Sequence, residues 1–324
     1  QVINFYLSYN NYYYMKSTHS NIKKAKKYLD KNHCIAVPSE TVYGLAGNAY
    51  SDISVKKIFK IKKRPMNNPL IVHYSDINKL KKDCHINDNF IKLYNKFSPG
   101  PLTFVLKLKK NSKISKFANN KQKNLAVRFP KHPLFKKLLK DLDYPLAAPS
   151  ANMSTKLSSV QASDVQEEFG SKIKYVLNGG RCKIGVESTI ISLTGRPTIL
   201  RFGGLEILKI KKILKKRIHI TTNSKNKVAP GQFPLHYSPG IPLRMNVINP
   251  KKGEAFVLIK KRKNISKDYY FLTKKNNLNE AAKNLYYALR KIKKKGYKKI
   301  AVEKILDIGL GKTINDRLRR ASKY

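Results

Sequence analysis

Two apolar runs in this sequence end abruptly in polar residues, and they restrict the possible folds more than any other feature. Residues 34–37 lead into Pro38-Ser-Glu-Thr41, and residues 70–72 lead into His73. Short apolar runs of this kind are typical of buried strands. In an open α/β sheet, ligands bind in the crevice beyond the strand ends. The sequence therefore predicts an α/β fold with a polar site where these strands finish.

Strand-like and helix-like stretches alternate through most of the chain. This alternation predicts a three-layer α/β domain over residues 16–214. A polar, lysine-rich stretch and a loop rich in proline and aromatic residues follow, and residues 215–239 are predicted to be a linker and active-site loop. A second, smaller α/β domain is expected over residues 240–324. Residues 1–15 are predicted to be an N-terminal extension outside the fold.

Local signals give two more specific expectations. Ser163 with Gln166 three residues later predicts a capping box at the start of a helix that ends at Phe169. The apolar run at residues 175–177 predicts a strand in the second half of the large domain.

The net charge of +49, from 68 Lys and Arg against 19 Asp and Glu, has two explanations. One is a nucleic-acid partner or a polyanionic substrate. The other is genome composition, because lysines are scattered along the whole chain, Asn and Ile are abundant and Trp is absent. We attribute most of the charge to composition. The exceptions are four cations embedded in motifs: Lys62, Arg64, Arg128 and Arg201.

Cysteine usage and hydropathy restrict the protein class. The three cysteines are widely spaced and odd in number, which indicates neither a disulfide framework nor a zinc motif. No apolar run approaches the length of a membrane span. These features predict a cytoplasmic protein with no membrane association and no metal ligands of its own.

The polar motifs combine hydroxyls, well-spaced cations and a histidine, the groups that hold a small polar substrate beside a polyphosphate. Seven motifs occur in a characteristic order: Pro38–Leu45, Lys62–His73, Pro149–Asn152, Gly185–Ile190, Leu200–Gly204, His236–Pro239 and Asp316–Arg320. In this order they resemble the two-domain form of the threonylcarbamoyl-AMP synthase family. The resemblance covers nearly everything after Met15.

The resemblance implies a YrdC-like catalytic domain with a twisted mixed sheet and a Rossmann-like C-terminal domain. It implies synthesis of L-threonylcarbamoyladenylate and pyrophosphate from L-threonine, bicarbonate or CO2, and ATP. Mg²⁺ is expected to arrive on the ATP phosphates. The product serves threonylcarbamoyladenosine formation beside the tRNA anticodon, so a downstream tRNA threonylcarbamoyl transferase is an expected partner, together with a weak tRNA contact.

The resemblance also implies roles for individual residues. Lys62 and Arg64 are the expected catalytic residues, since cations must shield the phosphates from an anionic nucleophile. The expected threonine-binding residues are Ser39, Thr41, His73, Arg128, Ala148 and Ser188. The expected ATP-binding residues are Lys62, Arg64, Asn68, Asn124, Ser150, Asn152, Ser158 and Arg201. The loop residues Phe233, His236 and Tyr237 are expected to form a lid, because Pro234 occupies the position of a tyrosine found in some relatives.

Two other functions fit parts of the sequence. A YrdC-like RNA-binding module without adenylate synthesis would explain the positive charge. A carbamoyltransferase of the hydrogenase-maturation type shares the YrdC-like domain, but this sequence has neither its acylphosphatase segment nor its paired Cys-x-x-Cys motifs. The synthase is therefore favoured. Every residue assigned to threonine or phosphate lies before residue 202, so the second domain is expected to act through the loop and to supply no chemistry.

Overall fold

The structure, a computed structural model, describes residues 19–222, 229–231, 236–262 and 266–323. Its helices are α1 (19–30), α2 (Asp52–Lys62), α3 (Ile77–Asp83), α4 (Asp88–Phe97), α5 (Pro133–Lys140), α6 (Ala162–Phe169), α7 (Ile207–Leu214), α8 (Leu278–Lys294) and α9 (Gly311–Ala321). Its strands are β1 (Ile35–Val37), β2 (Gly44–Asn48), β3 (Ile71–His73), β4 (Leu102–Lys107), β5 (Asn124–Arg128), β6 (Leu146–Ala147), β7 (Thr189–Ser192), β8 (Thr198–Arg201), β9 (His219–Ile220), β10 (Leu243–Arg244), β11 (Glu254–Lys260), β12 (Tyr269–Thr273) and β13 (Lys299–Val302).

The first nine strands form one mixed sheet in the order β1-β2-β6-β3-β5-β4-β7-β8-β9. The central strands β3 and β5 are parallel, with His73 opposite Arg128. The antiparallel β4 places Thr103 opposite the same Arg128. Strand β7 runs parallel to β4, with Thr189 opposite Leu102. The pairing therefore brings the polar ends of β3 and β5 to the edge where β4 and β7 begin.

The smaller sheet has four parallel strands in the order β10-β13-β11-β12. Helix α8 packs on it because Ala281, Leu285, Leu289 and Ile292 recur at helical spacing and are buried. The Asn277 side chain caps α8 by accepting hydrogen bonds from two backbone amides of its first turn.

The two sheets share a core. One continuous cluster of buried apolar side chains contains Phe104 of the large sheet, Val257 of the small sheet and Leu318 of α9. The two halves are therefore joined by a buried interface as well as by the linker. Among the described residues, no helix is both long enough and apolar enough to cross a bilayer.

The predicted mixed α/β fold is confirmed, with exceptions at two local features. Helix α6 begins at Ala162 after Gln161, and neither end of a capping box forms. The prediction at Ser163 was wrong because the helix begins before that residue. The Asp164 carboxylate accepts a hydrogen bond from the Val160 backbone amide at this earlier start. The predicted strand at 175–177 is reduced to a single bridge between Val176 and Ala36.

Two predicted segments extend beyond the described residues. Residues 1–15 lie entirely outside them, as do parts of the predicted linker over 215–239. Within that linker, β9 pairs with β8 and extends the large sheet by one short strand.

Candidate active site

A small cavity of about 40 Å³, enough for a few water molecules, lies beyond the polar strand ends of the large sheet. Glycines and apolar side chains close part of its wall. Eleven of the residues predicted from the sequence line it: Ser39, Thr41, Arg64, His73, Arg128, Ala148, Ser150, Ser188, Arg201, His236 and Tyr237. The fold thus gathers both the expected threonine residues and part of the expected ATP residues around one space.

The turn after β1 is organised by Ser39. Its hydroxyl accepts hydrogen bonds from the backbone amides of Thr41 and Val42, at 3.1 and 3.2 Å, and donates to the Val42 carbonyl at 2.6 Å. The hydroxyls of Ser39 and Thr41 are 2.9 Å apart. The serine hydroxyl thus satisfies backbone groups that would otherwise lose their hydrogen bonds where the strand ends. The chain can therefore turn immediately after the strand. It also presents Thr41 to the cavity.

Arg128, at the end of β5, is paired with a carboxylate of the chain itself. Its guanidinium donates to Glu40 at 2.6 Å and to the Gly100 carbonyl at 3.2 Å. Glu40 also accepts the backbone amide of Lys131 at 2.9 Å. Burial alone raises the pKa of the Glu40 carboxyl, but Arg128 and these hydrogen bonds lower it below its usual value. Glu40 therefore fixes Arg128 at the cavity wall.

His73, at the end of β3, is an uncharged imidazole. Burial, with a smaller effect of Arg128, lowers the pKa of His73 to about 3. Its ring packs against Phe135 at a centroid distance of 5.2 Å, and its Nδ1 has no hydrogen-bond partner among the described residues. A neutral, oriented imidazole with one free nitrogen is suited to hydrogen bonding with a ligand hydroxyl.

Arg64 follows α2 through a tight turn, since Lys63 adopts a left-handed conformation at φ 49°. Its Nε donates to the Asn68 carbonyl at 2.9 Å. Its Nη2 donates to Asn68 Oδ1 at 2.5 Å and to the Pro69 carbonyl at 2.9 Å. Burial lowers the pKa of Arg64 to about 9. Asn68 thus fixes the orientation of the Arg64 guanidinium and is not among the described cavity-lining residues.

Lys62 lies beneath the loop that follows β6. Its ammonium donates to the Ser150 carbonyl at 2.5 Å and also to the Asn152 carbonyl. Burial, reinforced by the charge of Arg64, lowers the pKa of Lys62 well below its usual value. In this structure Lys62 shapes the Ser150–Asn152 loop from behind.

Arg201 and Ser188 form a compact unit between β7 and β8. The guanidinium of Arg201 donates to the Ser188 carbonyl at 3.1 and 2.9 Å and to its hydroxyl at 3.0 Å. The Ser188 hydroxyl also lies 2.7 Å from that of Thr103. Gly203 passes so close that a Cβ there would approach the Ser188 carbonyl carbon to 2.2 Å. The close approach explains why a glycine stands two residues after Arg201.

Five of the predicted ATP residues do not appear among the described cavity-lining residues: Lys62, Asn68, Asn124, Asn152 and Ser158. Asn124 begins β5 and Arg128 ends it, so the two lie roughly 13 Å apart along the strand. Ser158 donates its hydroxyl to Glu187 Oε1 at 2.5 Å. The Asn152 amide donates to the carbonyls of Met153 and Lys156, both at 2.8 Å.

The interdomain loop supplies the remaining wall through Pro230, Gly231, His236 and Tyr237. The Tyr237 backbone is left-handed, with φ 64°, and its ring lies 3.9 Å from that of His236. Burial lowers the pKa of His236 well below its usual value, so this imidazole is also neutral. Phe233, the third predicted lid residue, and Pro234 lie outside the described residues.

Sequence reasoning missed the residues that hold Glu187. The Arg317 Nε donates to Glu187 Oε2 at 2.7 Å, and the Tyr286 hydroxyl lies 3.1 Å from both carboxylate oxygens. Arg317 and Tyr286 belong to the second domain, so that domain does reach the site directly. Glu187 and Arg317 lie in two of the motifs identified from the sequence. Nothing in the sequence near either residue indicated that they form an ion pair.

The fold and the cavity define a two-domain α/β protein with residues that carry hydroxyls and guanidiniums gathered at one site. The Sua5/YciO/YrdC family model, described as telomere recombination, matches residues 27–203. The C-terminal domain model of threonylcarbamoyl-AMP synthase matches residues 205–323. The chain belongs to the threonylcarbamoyl-AMP synthase family.

The sequences of individual relatives align with this chain along almost its full length. The chain is 35% identical to threonylcarbamoyl-AMP synthase of Pyrococcus abyssi, with 94% of each chain covered. It is 33% identical to that of Bacillus subtilis, with 93% of this chain and 92% of the relative covered. Among solved structures, P. abyssi Sua5 complexed with L-threonine superposes with a TM-score of 0.86 at 33% identity, again over 94% of each chain.

Proposed function

We propose that this protein is an L-threonylcarbamoyladenylate synthase, a nucleotidyltransferase that uses L-threonine, bicarbonate or CO2, and ATP. One observation carries the proposal. The hydroxyls of Thr41 and Ser188 face the same small cavity as the guanidiniums of Arg64 and Arg201. A substrate with its own hydroxyl, amine and carboxylate can be held at one side of such a cavity, beside a polyphosphate at the other.

The threonine side of the site is formed by neutral hydrogen-bonding groups. Thr41 and Ser188 offer hydroxyls, and His73 offers the unpartnered nitrogen of a neutral imidazole. These groups can read the side-chain hydroxyl and orient the amine without adding charge. Arg128, held by Glu40, is assigned to the substrate carboxylate, and the Ala148 wall limits the space around it.

The ATP side is formed by cations and the Ser150 loop. ATP carries about four negative charges, so its α-phosphorus is shielded from an anionic nucleophile unless cations neutralise those charges. Arg64 and Arg201 are assigned to the phosphates, and Lys62, which donates to the Ser150 carbonyl from behind the loop, is assigned to ATP binding with them. Asn68, Asn124, Asn152 and Ser158 are assigned to ATP binding as supporting residues. Mg²⁺ is assigned to the ATP substrate, held by its phosphates.

The proposed reaction needs positioning more than acid–base chemistry. The threonine amine attacks CO2 and loses a proton, which gives a carbamate. A carbamate oxygen then bonds to the α-phosphorus as the bond to the β-phosphate oxygen breaks, and pyrophosphate leaves with that electron pair. The adenylate hydrolyses readily, so the residues His236 and Tyr237 are assigned to a lid that excludes water.

The wider assignment follows from the same proposal. Residues 16–214 would form the catalytic unit, 215–239 the linker and loop, and 240–324 the second domain. The product would pass to a tRNA threonylcarbamoyl transferase in the cytoplasm, with at most a weak contact between the basic surface and tRNA.

A threonine-dependent pyrophosphate assay tests this proposal. The protein with ATP, Mg²⁺ and bicarbonate should release pyrophosphate only when L-threonine is present, and mass spectrometry should detect the threonylcarbamoyl adenylate. Ser188→Ala should reduce the rate at least tenfold. Ser192→Ala, at the far end of the strand that follows Ser188, is the matched control, because among the described residues its hydroxyl bonds to Thr194 alone, at an exposed position. Pyrophosphate release without threonine dependence, together with salt-sensitive RNA binding, would reject the proposal.

A further inference from the structure

Glu187 is an unexpected group at this cavity. Among the described cavity-lining residues it is the only carboxylate, and its side chain is buried. The cavity is also where the guanidiniums of Arg64 and Arg201 converge. A negative charge at that position opposes the entry of any polyanion unless another cation compensates it.

The compensating cation comes from the second domain. Arg317 of α9 donates to Glu187 at 2.7 Å, and Tyr286 of α8 lies within hydrogen-bonding distance of the same carboxylate. Within the described ranges, one further side chain donates a hydrogen bond to this carboxylate, the Ser158 hydroxyl at 2.5 Å. Two of the three groups that hold Glu187 therefore belong to residues about 100 and 130 positions later in the chain.

Arg317 is itself held rigidly. It is 1% exposed. Its other nitrogens donate to Asp316 at 2.5 Å and to the Phe202 carbonyl at 2.7 Å. The ring of Tyr237 stacks over the guanidinium at 4.5 Å. A guanidinium with this many fixed partners cannot rotate away from Glu187.

Glu187 remains ionised in this environment. Burial alone raises its pKa, but the charges of Arg317 and then Arg201, with the Ser158 hydrogen bond, lower the pKa of Glu187 to about 2. A proton does not neutralise this carboxylate near pH 7. After Arg317, the positive charge of Arg201 has the next largest effect in lowering the pKa of Glu187.

We propose that Arg317 is a positioning residue for the ATP site, because it neutralises Glu187 and leaves Arg201 available to the triphosphate. The proposal rests on the proposed synthase function. Without Arg317, the uncompensated carboxylate would both repel the incoming phosphates and attract Arg201 away from them. Arg317 touches neither substrate in this scheme.

The charge argument predicts which substrate is affected. ATP carries about four negative charges, whereas threonine near pH 7 is a zwitterion with no net charge. Loss of Arg317 should therefore weaken ATP binding much more than threonine binding. A purely structural defect would lower the folded fraction and reduce the rate at every substrate concentration, without such a difference.

The test compares Arg317→Met with the double variant Arg317→Met/Glu187→Gln. The single variant should raise KM for ATP at least tenfold and change KM for threonine less than threefold. The double variant, which removes both charges, should bring KM for ATP back to within threefold of wild type. Arg244→Met is the matched control, because it breaks a 2.6 Å ion pair with Glu254 in the second domain, away from the cavity. It should leave both KM values unchanged.

Folding and function can be separated in this design. Thermal unfolding of each variant reports the loss of the buried pair. If Arg317→Met does not fold, Arg317→Gln replaces it and should still raise KM for ATP selectively, whereas Arg317→Lys, which keeps the compensating charge, should hold KM for ATP within threefold of wild type. Unchanged KM for ATP in folded Arg317→Met or Arg317→Gln, or equal losses for both substrates that the double variant does not relieve, would overturn the proposal. A wild-type protein without threonine-dependent pyrophosphate release would instead reject the synthase function.

Discussion

Arg201 donates hydrogen bonds to both the carbonyl and the hydroxyl of Ser188, so a residue assigned to phosphate and a residue assigned to threonine form one unit. Neither side chain can move without disturbing the other. This contact links the two halves of the proposed site. We therefore expect a change at Arg201 to affect the binding of both substrates.

Arg201→Lys should weaken the binding of both substrates. A lysine cannot reproduce the several donor directions of a guanidinium, so Ser188 loses its anchor while one positive charge remains. We expect KM for ATP to rise at least tenfold and KM for threonine to rise several-fold, measured by pyrophosphate release. Arg196→Lys, on the exposed turn before β8, is the control and should change neither value. A loss confined to ATP would contradict the linkage.

Arg64→Ala should weaken ATP binding far more than Lys291→Ala, although each change removes one positive charge. Arg64 is buried at the cavity, whereas Lys291 lies on the exposed face of α8. Loss of a desolvated charged contact costs on the order of 2–5 kcal/mol, and loss of a solvated charge costs little. Isothermal titration with a non-hydrolysable ATP analogue measures the difference. Equal effects would mean that Arg64 acts only as surface charge.

Gly231→Ala should impair the loop that covers the cavity. A Cβ at Gly231 would approach Cδ of Arg201 to 2.6 Å, and the backbone there has φ +85°. Gly253 has a similar φ of +81° but open space around it, so Gly253→Ala reproduces the backbone strain alone. We expect Gly253→Ala to lose roughly 1 kcal/mol of stability in urea unfolding, and Gly231→Ala to lose more because the clash with Arg201 adds to the strain. Only Gly231→Ala should reduce adenylate formation, by about tenfold or more.

Threonine binding should show no titration near pH 6.5. Burial lowers the pKa of His73 to about 3, so the imidazole stays neutral throughout the range from pH 5.5 to 8. Calorimetric affinity for threonine, in the absence of ATP, should be flat across that range. An inflection near pH 6.5 that disappears in His73→Asn would show that the imidazole titrates and would contradict the structure.

The same histidine should affect stability with a defined sign. Its pKa is about 6.5 in the unfolded chain and about 3 in the folded protein, so the unfolded state binds the proton first. Between those values the free energy of unfolding should decrease with falling pH by up to about 1.4 kcal/mol per pH unit from this group. His73→Asn should reduce that slope by about the same amount in denaturant titrations at pH 4 to 6.

Local sequence signals were sufficient for much of the fold. The apolar runs before Pro38 and His73 became β1 and β3, and the spacing in residues 278–293 became α8. Strand β2 was not predicted because Gly44-Leu-Ala-Gly-Asn48 contains two glycines and little β-branched character. The capping box at Ser163 failed because a different local contact, the hydrogen bond that Asp164 accepts from the Val160 amide, forms at a helix start two residues earlier.

For the site, the sequence likewise predicted individual residues but not the ion pairs between distant residues. Motif residues such as Thr41, Arg64 and Ser188 did line one cavity, because strand ends bring them together. The ion pairs of the site, Arg128 with Glu40 and Arg317 with Glu187, join residues 88 and 130 positions apart. No spacing rule in a single sequence links such residues. The second domain was expected to act through the loop and to supply no chemistry, and that expectation did not foresee that Arg317 and Tyr286 bind Glu187 at the cavity.

The distance between Glu187 and Arg317 along the chain has a consequence for biosynthesis. Ribosomes release a protein from its N-terminal side at a limited rate, and domains generally fold as they emerge. Glu187 is made 130 residues before its partner Arg317, and β9, the last strand of the large sheet, also precedes α9. During that interval the nascent catalytic half carries an unbalanced negative charge at its centre. If Arg317 has the proposed role, the nascent protein should bind ATP weakly until α9 has been made and both halves have assembled.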